Sequence, residues 1–108
     1  MIEFFLDKPL SIWTGEPNRY HSSVPVESCP DFDALSGALQ TTFKRRGISC
    51  TSEKQYVGSL RLYNYDFDVR MNYQPKPSTL EVCITANPAL DCSNLIRDIN
   101  HVLPLLQP

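Results

Sequence analysis

Residues 55–86 read QYVGSLRLYNYDFDVRMNYQPKPSTLEVCITA, and their alternation decides the fold. In the first run Tyr56, Leu60 and Leu62 share one parity, while Ser59 and Arg61 take the other. In the second, Phe67, Val69, Met71 and Tyr73 face one way and Asp66, Asp68, Arg70 and Asn72 the other. In the third, Leu80, Val82 and Ile84 oppose Thr79, Glu81 and Thr85. Side chains on a strand point alternately to opposite faces, so each run describes a strand with one buried and one wet face. The three together predict an antiparallel meander over residues 55–86. The apolar parity flips at Leu62-Tyr63, which requires a turn or bulge there. Asn64-Tyr65-Asp66 and Gln74-Pro75-Lys76-Pro77-Ser78 supply turn-tolerant residues at the two connections.

Upstream, residues 31–46 are predicted to form a helix. Ala34, Leu35, Ala38, Leu39, Thr42 and Phe43 recur at helical spacing and make one apolar stripe. Pro30, Asp31 and Asp33 suit the N-terminal end; Lys44, Arg45 and Arg46 suit the last turn, and Gly47 marks the stop. Downstream, Asn87-Pro88 ends the meander. Asp91 reads as the N-cap of a second helix over about 92–103, with Leu95, Ile96, Ile99, Val102 and Leu103 on one side. Pro104 ends that helix.

The N-terminal part is harder to read. Ile2 to Leu6 and Leu10 to Trp13 are short apolar runs that suit two strands joined by a turn at Pro9. From Gly15 to Pro30 the pattern dissolves into 16 residues punctuated by three prolines, which exceeds the usual loop length. That stretch holds either an edge strand around Ser23 to Val26 or a loop kept for function. The expected architecture is a single α+β domain: a three- to five-stranded antiparallel sheet with both helices packed on one face.

The chain has 108 residues, ten basic and twelve acidic, and a formal charge of −2. That balance argues against a general nucleic-acid binder, which shows a strongly basic face. Cys29, Cys50, Cys83 and Cys92 are spaced by 21, 33 and 9 residues with no C-x-x-C pair, so free and mostly buried thiols are expected, with disulfide or metal ligation as the alternatives. The N-terminus carries no basic region before its short apolar run, and no stretch approaches the ~20 apolar residues that span a bilayer. A cytoplasmic protein is expected, without cofactor or metal.

No phosphate-binding glycine loop, H-E-x-x-H pair or G-x-S-x-G elbow is present. His101 falls in the last turn of the second helix, where a cation complements the dipole. His21 could act as a general base, but no nucleophile neighbours it in sequence, and a dyad with Cys29 or Cys50 would have to come from the fold. Asp66 and Asp68 are predicted to share one strand face about 7 Å apart, a spacing that suits acid–base chemistry or a cation. Arg61, Arg70 and Glu81 fall on the same face, so cross-strand ion pairs are the plainer reading of those acids. Tyr63 and Tyr65 flank the parity switch, and Tyr20 lies in the irregular N-terminal part with Trp13. Exposed aromatics beside charges are what protein-binding surfaces use.

The expected role is therefore a protein-binding module. Its contacts would be Arg61, Tyr63, Tyr65, Asp66, Asp68, Arg70, Glu81 and Tyr20. Small acidic α+β inhibitors such as the immunity proteins, which neutralise a partner toxin or effector, are of this kind, by analogy of type alone. The alternatives are a chaperone for a secreted effector, a subunit of a phage or mobile-element assembly, and a small enzyme using a loop His or Cys. The sequence also allows a homodimer.

Overall fold

A computed structural model describes residues 5–6, 18–54, 58–87 and 92–103. Its elements in chain order are β1 (Phe5–Leu6), β2 (Asn18–Pro25), α1 (Phe32–Arg45), β3 (Thr51–Glu53), β4 (Ser59–Tyr63), β5 (Phe67–Gln74), β6 (Thr79–Ala86) and α2 (Ser93–Val102). The strands form one antiparallel sheet in the order β1-β2-β6-β5-β4-β3. It has five strands of three or more residues, plus the two-residue β1 at one edge. The predicted meander is its heart, as β4, β5 and β6 pair in sequence.

Each strand alternates as the pattern requires. Leu62, Val69 and Ile84 stand opposite one another across β4, β5 and β6, and Leu60, Met71 and Val82 form the next row. All six are at most 2 % exposed. Onto these rows α1 sets Leu35, Leu39 and Phe43, and α2 sets Leu95, Ile99 and Val102, in a single buried cluster. Phe43 meets Phe67 edge to face, ring centroids 5.8 Å apart. Both helices thus cover the same sheet face, because only one face is apolar.

Two features of sequence fix α1. The Asp31 carboxylate accepts from the backbone N–H of Asp33 and of Ala34, each at 3.1 Å, which makes it the N-cap. At the other end Ile48 N–H donates to Phe43 and Gly47 N–H to Lys44, closing a Schellman turn with Gly47 at φ +78°. Ala34, placed in the predicted stripe, is exposed, and Phe32 is buried in its stead.

The stretch from Gly15 to Pro30 is not one loop. Residues Asn18–Pro25 are a full strand, seated inside the sheet between β1 and β6. Ladder pairing from Asn18↔Ala86 to Pro25↔Thr79 supplies what hydrophobic pattern does not. Strand β3 went unforeseen; its Thr-Ser-Glu sequence carries no apolar signal. Leu10 to Trp13, Tyr56 and the Asp91 cap lie outside the described residues. Helix α2 runs Ser93–Val102 and places Cys92 at its N-cap without a side-chain capping bond.

Candidate partner-binding surface

The face of the sheet opposite the helices is built from four rows of side chains, the outermost of them Gln74, Thr79 and Pro25. One row runs Glu53, Arg61, Arg70, Cys83, His21, and the next runs Thr51, Tyr63, Asp68, Thr85, Arg19. A third runs Ser59, Asn72, Glu81, Ser23. Of these residues only Ser59 is buried.

Two networks organise that surface. Asp68 sits at the centre of the first. Arg61 donates to it through Nε at 3.1 Å to each carboxylate oxygen and through Nη2 at 2.9 Å. Arg70 donates to it through Nη2 at 3.2 Å and Nε at 3.4 Å. The Arg61 guanidinium also stacks 4.0 Å from the centre of the Tyr63 ring. Partial burial by itself pushes the Asp68 carboxyl up, but the hydrogen bonds from Arg61 and Arg70 outweigh it and hold the group below the usual 3.8. The same hydrogen bonding to Asp68 raises the Arg61 guanidinium further above its already high value.

Glu81 centres the second network. Its Oε2 lies 2.9 Å from His21 Nε2, while Oε1 accepts from Ser23 at 2.8 Å and Thr79 at 3.3 Å. The acids of the face are thereby engaged in cross-strand pairing, the plainer of the two readings of the sequence.

Asp66 does not share that face. It belongs to the connection Asn64–Asp66 before β5 begins, because the parity switch consumes those residues as a turn. Tyr63 keeps the alternation of β4 and lies on the outer face over Arg61, so the flip comes from the turn and not from a bulge. Tyr20 falls on the inner parity of β2, packed against the core, and so stands apart from the other predicted contacts.

The turn itself is rigidly made. Asn64 Oδ1 accepts from Asp66 N–H at 2.7 Å and Phe67 N–H at 3.0 Å, and its Nδ2 donates to Ser49 O at 3.0 Å. Asn64 N–H donates to Phe67 O, and Asn87 N–H to Asp66 O at 2.7 Å. Tyr65 rides on this frame with its side chain fully exposed, at 105 %. A groove of about 550 Å³, lined among others by Arg46, Ile48, Phe67 and Leu95, borders Asn64. A second, of about 440 Å³, also bordered by Asn64, opens between Cys50, Tyr63 and Tyr65. Burial pushes the Cys50 thiol up, which keeps it protonated.

All four cysteines are free; Cys92 is buried, Cys29 exposed, and the other two lie between. The expectation of mostly buried thiols therefore holds only for Cys92 in full. His101 is exposed in the last turn of α2. Among the described residues no group of three or more His, Cys, Asp or Glu is placed to hold a metal ion. No helix among the described residues is long and apolar enough to cross a membrane.

The grooves escaped the sequence reading because they are assembled from three distant segments, and no single stretch signals them. Comparison with family models, curated proteins and solved structures gives no match, so the chain is defined by its α+β architecture and by this surface.

Proposed function

We propose that the chain is a protein-binding module that acts inside the cell as an inhibitor of immunity-protein type, occupying a partner toxin or effector. One observation carries the reading: Tyr65 projects its whole ring from a turn pinned by Asn64, and two grooves border that turn. A ring on a backbone already fixed leaves only its own side-chain torsions to be ordered, so it contributes buried area at little entropic cost, which is how binding anchors work. The adjoining sheet face extends the contact with arginine and tyrosine, the residue types enriched in such interfaces. Enzyme chemistry at His21 has less support, because Glu81 takes up its Nε2 on an open strand face.

The test is capture of the partner from the native host with wild-type protein and with Tyr65→Ala. Loss of the captured protein in the variant, at an unchanged melting temperature, supports the reading. Equal recovery by both forms removes the turn from it.

A further inference from the structure

The outer sheet face is neutral by count but not by availability. Asp68 is shared between two arginines, and Glu81 has both oxygens engaged by His21, Ser23 and Thr79. Glu53 lies 4.0 Å from Arg61 at the β3 edge. Asp68 and Glu81 are therefore engaged within the face and Glu53 is held only loosely at its edge, while Arg19 and the outer N–H groups of Arg70 keep donors to spare. Arg70 keeps 53 % of its side chain in solvent and reaches Asp68 only at 3.2 Å and beyond. Arg19 is exposed, and among the described residues it has no ion-pair partner.

The register puts these two arginines on opposite flanks of β6. Arg70 stands beside Cys83, and Arg19 stands beside Thr85. Two strand spacings across and two residues along separate them, about 12 Å between Cα atoms, a distance that two carboxylates on one acidic segment span. Planar guanidinium forks with spare N–H donors are suited to carboxylate.

We infer that this face docks an acidic segment of the partner, its Asp or Glu carboxylates taken by Arg19 and Arg70 across β6. The inference rests on the protein-binding reading above and supplies the chemistry of the partner. It runs against the net charge of the chain, which is −2. Selection therefore comes from the local pattern: a diffuse field of that sign repels an acidic segment, and only direct contact with the two forks overcomes it.

The experiment uses the full chain and a fluorescein-labelled hexaglutamate peptide, read by anisotropy at low salt. Wild-type protein is expected to bind it, with affinity falling steeply between about 20 and 200 mM NaCl as the charges are screened. The pair Arg19→Gln/Arg70→Gln is expected to weaken binding by about tenfold or more, the equivalent of about 1.4 kcal/mol. Lys44→Gln/Arg45→Gln, on the last turn of α1, is expected to bind as wild type.

Absence of hexaglutamate binding by the wild type overturns the inference. So does equal weakening by the Lys44/Arg45 pair, which would reduce the effect to overall charge. Tighter binding of a single-stranded oligonucleotide than of the peptide also overturns it, by making the arginines a phosphate site. The captured partner separates the two readings. Capture that needs Tyr65 but not Arg19 and Arg70 sinks this inference and leaves the module standing. Peptide binding that needs both arginines, with capture indifferent to Tyr65, supports this inference and removes the turn.

Discussion

Arg46 donates through Nε to both carboxylate oxygens of Asp98, at 3.0 and 2.8 Å, and so ties the end of α1 to the middle of α2. Asp98 is only 3 % exposed, so this guanidinium stands in for the water the carboxylate gave up. Replacing Arg46 by Ala strands the carboxylate and is expected to cost on the order of 1–3 kcal/mol. Urea unfolding measures it. Adding Asp98→Asn to the Arg46 variant should recover part of that loss, because an amide is cheaper to bury than an unpaired charge.

The two glycines around α1 should respond with opposite signs. A Cβ at Gly37, inside the helix, meets nothing within 4 Å, so Gly37→Ala is expected to stabilise by about 0.5–1 kcal/mol. Gly47 sits at φ +78°, where a side chain is strained, and Gly47→Ala is expected to cost about 1–2 kcal/mol. Thermal melts of the two variants should fall on either side of the wild type.

Acid should loosen the outer face through Asp68. Its folded-state carboxyl lies below the usual 3.8, so the unfolded chain takes up the proton first as pH falls. The stabilisation is fully present above that usual value and is lost as pH drops through the depressed one. Urea midpoints of wild type and Asp68→Asn should differ by a constant amount at neutral pH and converge in strong acid. A gap that persists at the lowest pH would show that the ion pair is not its source.

Removing the side chain that pins the turn should loosen it without touching the anchor it carries. Asn64→Ala deletes two accepted hydrogen bonds and one donated bond, and is expected to cost about 1–2 kcal/mol. Amide exchange at Asp66 and Phe67 should quicken in that variant. Partner capture should weaken even though Tyr65 is intact, since the backbone that carries the ring would then have to be ordered on binding.

The elements that were legible in sequence are those whose own side chains fill the core. Leu60, Leu62, Val69, Met71, Val82 and Ile84 alternate because each alternate position is buried, and Leu35, Leu39 and Phe43 repeat because one helix face is. Strand β2 was illegible for the complementary reason. Its inner positions are Asn18, Tyr20, Ser22 and Val24, near the sheet edge, and its conformation is held by ladder bonds to β6. Such bonds leave no residue-type signature, and Pro25 at its end reads as a break. The charged face was visible from strand parity, whereas the fate of Asp66 was not, since residues in a turn follow no period. Tyr20 was set among the contacts for want of a strand to assign its side. The arginine surplus needed the register, because it depends on which carboxylates are already spoken for.

The pairing of Asn18 with Ala86 has a consequence for how this molecule comes into being. During synthesis the segment that becomes β2 emerges early, yet the strand against which it zips is made last of the six. Until residue 86 is out, the β4–β5 hairpin can close on itself, but the segment 18–25 has only the two-residue β1 beside it and waits with its β6-facing backbone donors and acceptors unpaired. Its polar sequence, poor in apolar residues, suits that wait: a more hydrophobic strand held open so long would invite pairing with a neighbouring nascent chain.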